Sequence, residues 1–179
     1  MSEIIKDKAL CIRSIDYSDT SQIVTFFTRD NGKISAMAKG AKRKKSSFDG
    51  PIEIFSAGQI IFSQKQSANL AGLRSFDQKP VYLPLRKNYY AMNCGLFAAE
   101  LLDAFTQNHD PNRILFDSFA NFLKNIQQSP EESHTLCLLI VFQLTLLRNI
   151  GSALQIDNCC NCSAPFDNWP EIYFATRLN

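Results

Sequence analysis

Five cations crowd into the seven residues from Lys39 to Lys45: Lys39, Lys42, Arg43, Lys44 and Lys45, interrupted only by Gly40 and Ala41. The chemistry open to such a run is electrostatic. Each Lys or Arg that neutralises a phosphate releases a condensed counterion, so a polyanionic strand would be held with an affinity that falls as salt rises. Gly40 and Ala41 are small enough to let a strand lie close. A solvated loop that only keeps the protein soluble uses the same residues, and a basic run of about five to eight residues does not separate the two readings.

A second chemistry-bearing pattern is the C-x-x-C of Cys159 and Cys162 in D-N-C-C-N-C-S-A-P. Two thiolates at this spacing can close on one zinc ion as half of a ribbon site. Two ordinary thiols, or a redox dithiol, share the spacing; the redox form wants an adjoining βαβ unit, and none is visible. A structural zinc site needs a second pair of ligands. The 17 residues after Cys162 hold no Cys or His, so Zn2+ binding requires a continuation beyond Asn179, and otherwise no cofactor is expected.

Other reactive groups read as structural. Cys11, Cys94 and Cys137 lie in apolar periodic segments and suit small core positions. His109 and His134 stand beside helix starts without a Cys or carboxylate at catalytic spacing. Glu100, Asp103 and Asp117 read as solvated helix faces. Arg148 closes a helix and suits its negative end, although it could also hold a partner's carboxylate. No phosphate-binding G-x-x-x-x-G-K-[ST] loop is present. With no nucleophile–base pair to assemble, the sequence favours binding over catalysis.

The elements that must position these residues follow from pattern. The 179 residues are 45% hydrophobic and 20% charged, as in a globular protein, and suffice for one or two domains. Residues 1–80 carry 13 Lys and Arg against 8 Asp and Glu, a net +5, while residues 81–179 carry 6 against 9, a net −3. Lys8–Ile15, Ser21–Thr28, Lys33–Ala38, Ile52–Phe62 and Leu70–Phe76 are short, β-branched or aromatic runs that suit strands. Asn31-Gly32 predicts a type I′ hairpin turn. Five short strands in this length fit a small barrel of the OB type over residues 1–80. Phe26, Phe27, Phe48 and Phe62 are its candidate base-stacking aromatics.

From Pro84 the period becomes helical. Leu85–Phe105 is amphipathic, Asp110-Pro111 predicts a cap and first residue of a second helix, and Ser129-Pro130 predicts those of a third, which Gly151 ends. Residues 81–156 thus read as a helical domain and 157–179 as the start of a zinc ribbon, giving an α+β chain of OB-type barrel, helical bundle and partial ribbon knuckle. The N-terminus lacks a cationic stretch followed by an apolar core, so no export signal is expected and the compartment is a reducing cytoplasm. The run Leu136–Leu147, broken by Gln143 and Thr145, is too short for a membrane span.

Residues Ala9–Ser46 resemble the RecO family of bacterial recombination mediators. There, an arginine-bearing strand leads into a Y-x-[DE]-x-[DS] turn, a strand ends in T-R-x-x-G-K, and A-x-A-K-G-A-[RK]-[RK] follows. The chain matches at Arg13, Tyr17, Thr28, Arg29, Gly32, Lys33, Ala38, Lys39, Gly40 and Ala41. A later G-x-x-L-x-x-x-x-C-x-x-C, at Gly151, Leu154, Cys159 and Cys162, agrees as well. The resemblance implies an OB domain, a helical domain and a zinc ribbon completed by a second C-x-x-C. It implies binding of single- and double-stranded DNA and ATP-independent strand annealing. It also implies work with RecR, contact with the tail of single-strand binding protein, and help in loading RecA in the RecFOR pathway of nucleoid DNA repair. Carried onto this chain, the DNA contacts would be Lys39, Lys42, Arg43, Lys44 and Lys45, with Arg13 and Lys33. The competing expectation is a protein-interaction module, in which the helical half docks a partner tail and the basic loop binds no DNA.

Overall fold

The computed structural model describes residues 3–43, 46–64, 70–129, 131–155, 157–159, 161–166 and 171. These residues form five strands, β1 (Glu3–Asp16), β2 (Gln22–Thr28), β3 (Gly32–Ala38), β4 (Ala57–Gln64) and β5 (Ala71–Lys79). A 3-10 turn at Leu83–Lys87 leads into three helices, α1 (Tyr89–Phe105), α2 (Arg113–Ile126) and α3 (Glu132–Asn149). No helix among the described residues is long and apolar enough to cross a membrane.

The strands close into a barrel in the order β1-β2-β3-β5-β4. Every pairing is antiparallel except β3 with β5, which meet in parallel at Ala36–Ala71 and Met37–Gly72. Five strands closed in this way make the expected OB-type barrel. Closure depends on the length of β1. Its first half, Glu3–Leu10, pairs with β4, and its second half, Ala9–Asp16, pairs with β2. An irregularity between Cys11 and Arg13 bends the strand between the two partners, which is what a bulge does.

Alternation along β1 explains how barrel and helices join. Ala9 and Cys11 point into the barrel with Val24, Phe26, Ile34, Phe62 and Phe76. Leu10 and Ile12 point outward into a second core with Phe27, Phe55 and the helices. Phe27 meets Phe116 of α2 at 6.2 Å between ring centroids, and Phe55 meets Phe119 at 6.4 Å. Within the helices, Phe122 and Phe142 stack at 5.1 Å. Burying a side chain of this size is worth about 1.5–3 kcal/mol, so these rings tie the barrel to the helices.

Several local expectations are corrected. The β2–β3 connection is a three-residue loop, Arg29–Asn31, in which Thr28 faces Gly32. Gly32 alone takes a positive φ there, +70°, and Asn31 does not, so the turn is not type I′. The Thr28 hydroxyl closes the loop by donating to the Gly32 carbonyl at 2.8 Å. The cap of α2 is Asn112, whose side chain accepts from the Leu115 N–H at 2.9 Å, and not Asp110. The N-cap position of α3 is Glu131, which makes no side-chain cap bond, while Ser129 turns its hydroxyl to the Glu131 carbonyl and to His134. Gly151 ends α3 as expected: at φ +79° its N–H reaches Arg148, and the Ser152 N–H reaches Leu147, the paired bonds of a Schellman motif.

Candidate nucleic-acid interface

The basic loop leaves β3 at Ala38 and is fixed before its charges are reached. Gly40 adopts φ +74° and its carbonyl accepts the Arg43 N–H at 3.0 Å, a tight turn. Ala41, with no exposed surface, dips into the barrel core. The loop is also stitched to the β1–β2 turn. The Gly40 N–H donates to the Ser21 hydroxyl at 3.3 Å and the Lys42 N–H to the Thr20 carbonyl at 3.1 Å. Beyond the loop, Phe48 and Ile52 seal the barrel, and the Gln22 side chain brackets the Ile52 backbone from both sides.

Between turn and loop lies an open cleft of about 660 Å³, lined by Tyr17, Ser18, Ser21, Met37, Lys39, Gly40 and Arg43. Lys39 and Arg43 are exposed, and neither has a carboxylate partner among the described residues. Lys42 differs. Its amine sits 2.7 Å from Asp16 Oδ2, and this hydrogen bond holds the Asp16 carboxyl below its usual range. Tyr17, 65% exposed at the end of β1, presents the aromatic ring of this cleft.

The remaining candidates lie elsewhere. Arg13 and Lys33 converge on Asp103 of α1 instead of on the cleft. Arg13 approaches Asp103 Oδ2 at 3.6 Å with most of its side chain in solvent. Lys33 is buried, its amine 3.1 Å from Asp103 Oδ1 and also donating to the Asp103 carbonyl. That amine is committed to the barrel–helix junction. Lys44 and Lys45 lie outside the described residues. The four phenylalanines considered as stacking groups, Phe26, Phe27, Phe48 and Phe62, are each 2% exposed or less and belong to the cores. Tyr17 is the exposed aromatic that strand patterning passed over. Its signal in the sequence is position, an aromatic ring set in the polar turn D-Y-S-D-T-S.

Asp103 and Asp117 are also corrected, from solvated faces to junction groups. Asp117 takes a bidentate pair from Arg29, with Nε at 3.1 Å and Nη2 at 2.9 Å. Arg113 adds a bond from its Nε to Asp30 at 2.6 Å.

At the far end, Cys159 and Cys162 form a knuckle. The Cys159 carbonyl accepts the Ser163 N–H at 2.8 Å, and its N–H donates to the Ala164 carbonyl at 2.9 Å. Backbone donors at Cys162 and then Asn161 hold the Cys159 thiol below its ordinary range. The tight backbone turn and the C-x-x-C spacing fit two of the four ligands of a structural zinc. Among the described residues no group of three or more potential ligands gathers. A second cleft of about 400 Å³ lies beside α3, with Ile114, Val141 and Leu154 around Arg148.

Comparison with known sequences bears on most of the chain. Residues 1–79 match the family profile described as Recombination protein O N terminal, and residues 86–173 match that described as Recombination protein O C terminal. The chain is 35% identical over 154 residues to the DNA repair protein RecO of Salinibacter ruber, covering 86% of this chain and 58% of that protein. It is 31% identical to the protein of the same name from Syntrophus aciditrophicus, covering 90% and 61%. For the Bacillus pumilus protein the figures are 26%, 89% and 60%. The chain therefore spans about three-fifths of the length of these relatives.

Proposed function

The chain belongs to the RecO family of DNA repair proteins, and from that premise we propose that it is a DNA-binding recombination mediator that brings complementary strands together. The observation carrying this reading is the pair Lys39 and Arg43, exposed on a pre-formed turn and not neutralised by any carboxylate among the described residues. Lys42, paired with Asp16, supplies less attraction, and Lys44 and Lys45 follow at once in sequence.

The mechanism needs no bond-making by the protein. Two DNA strands repel each other through their phosphates. Cations held on a rigid barrel lower that repulsion, and base pairing then drives annealing without ATP. Contacts to the backbone carry no base information, so direction to gapped DNA comes from protein partners. Those partners are RecR and single-strand binding protein, with RecA loaded as the outcome, in the cytoplasm. If zinc is present, Cys159 and Cys162 hold it with two ligands from outside the described residues, and it fixes the ribbon fold.

The test is annealing of two complementary oligonucleotides, followed by fluorescence quenching without ATP. The protein accelerates it, and Lys39→Ala with Arg43→Ala abolishes most of the acceleration. Equal acceleration by that variant overturns the reading. A second reading, a module that docks a partner tail, is favoured by the exposed Leu136, Ile140 and Val141 of α3, of which Val141 shares a cleft with Arg148. Absence of any binding to a labelled oligonucleotide at low salt would leave that reading standing.

A further inference from the structure

We propose that Tyr17 is a stacking platform for one unpaired base, so that the cleft between the β1–β2 turn and the basic loop selects single strands over duplex. The inference rests on the DNA-binding reading and adds to it a specific residue and a substrate class.

Exposed aromatic residues are ordinary on protein surfaces, and exposure alone would say nothing. What sets Tyr17 apart is its company and its rigidity. It shares a cleft with Lys39, Arg43 and the Met37 side chain. Its own N–H donates to the Ser21 carbonyl at 3.0 Å, as does that of Ser18 at 3.2 Å, which fixes the turn. Ser21 in turn accepts the Gly40 N–H, so the backbone carrying the ring is tied to the loop carrying the cations. Asp16, beside Tyr17 in sequence, is engaged by Lys42. An aromatic face held near two cations that no carboxylate among the described residues pairs is the arrangement that binds one nucleotide of a single strand, its base on the ring and its flanking phosphates on the cations.

The two kinds of group discriminate differently. Lys39 and Arg43 attract any phosphate backbone, paired or not. A base inside a duplex already has stacking partners on both faces, so the ring offers it nothing. Tyr17 should therefore contribute to single-strand affinity alone. It follows that a base leaves the ring as it pairs, and the annealed product is then held by the cations only.

The experiment measures the affinity of the chain, by fluorescence anisotropy at fixed salt, for three probes. These are an oligothymidylate of about 20 nucleotides, the same strand with abasic sites, and a hairpin duplex with the same number of phosphates. Stacking by one ring predicts that Tyr17→Ala weakens oligothymidylate binding roughly tenfold more than duplex binding. Tyr17→Phe, which keeps the ring, restores single-strand affinity. Abasic sites weaken binding by the parent chain but not by Tyr17→Ala. With so exposed a side chain the thermal midpoint should not move, and it is measured alongside. Equal losses for single strand and duplex, or no loss at all, overturn the stacking role while leaving DNA binding intact. If the parent chain binds none of the probes, the DNA-binding reading fails and this inference with it.

Discussion

Lys33 of β3 and Asp103 of α1 meet at 3.1 Å, with 10% of the lysine side chain in solvent. An amine buried this far must be paired, because an isolated ammonium out of water costs several kcal/mol. Its position after Gly32, in the segment that resembles the family pattern, thus serves the junction between barrel and helices. Lys33→Ala should lower the free energy of unfolding by about 2 kcal/mol; Asp103 is partly hydrated and keeps Arg13, which limits the loss. Urea denaturation measures this. The folded variant should bind DNA as the parent does, and intact stability with weakened DNA binding would move Lys33 onto the strand.

Gly32 is the second pin of that junction. It takes φ +70°, and a Cβ built there would fall on the backbone of Asp110. Gly151 takes a similar φ, +79°, with nothing nearby. Gly151→Ala should therefore cost only backbone strain, about 1 kcal/mol. Gly32→Ala should cost at least about 3 kcal/mol, a drop of roughly 6–12 °C in thermal midpoint for a chain of this size. Equal midpoints for the two variants would mean that the linker before α2 is not packed on Gly32.

The Arg29–Asp117 pair predicts an acid limb in the stability curve. The guanidinium hydrogen-bonded to Asp117 holds its carboxyl below the ordinary 3.8. A carboxylate with a lowered folded-state pKa stabilises above its unfolded value and loses that contribution as pH falls through its folded one. Asp117→Asn should thus be less stable than the parent at pH 7, with the difference shrinking below pH 3.8 and vanishing once the parent's carboxyl is protonated in the folded as well as the unfolded state. Half of this side chain is in solvent, so the difference should also shrink in high salt. A difference that persists at the acid end would point to packing instead.

Much of the barrel was legible because its strands carry β-branched and aromatic runs, as in Q-I-V-T-F-F-T. What misled was the reading of strand phenylalanines as candidate stacking groups. Phe26 and Phe27 are both buried because β2 lies between the barrel core and the helical core. Helix existence was legible and helix starts were not. Asp110 lost the cap of α2 to Asn112 because tertiary bonds hold the preceding residues: the His109 N–H donates to the Lys33 carbonyl, and Asn108 bridges to Lys33. The basic loop was plain as composition, but its division into Lys42, which is paired, and Lys39 and Arg43, which have no carboxylate partner among the described residues, depends on Asp16, 26 residues away from Lys42.

The thiols should separate by environment. Backbone donors favour the Cys159 thiolate, whereas Cys11 has no exposed surface and burial pushes it up to about 12. Since the thiolate is the nucleophile, iodoacetamide at neutral pH should label Cys159 early and Cys11 only after unfolding. Peptide mapping over time checks the order. Labelling of Cys11 in the native protein would contradict the closed barrel.

The central claim is that exposed cations beside the β1–β2 turn hold phosphate backbones. The most direct measurement is oligothymidylate affinity against salt concentration for the parent chain and for Lys39→Ala with Arg43→Ala. The account predicts weaker binding and a log–log slope shallower by roughly 1.4, about 0.7 for each single-strand phosphate that is no longer neutralised. An unchanged affinity with an unchanged slope would contradict it.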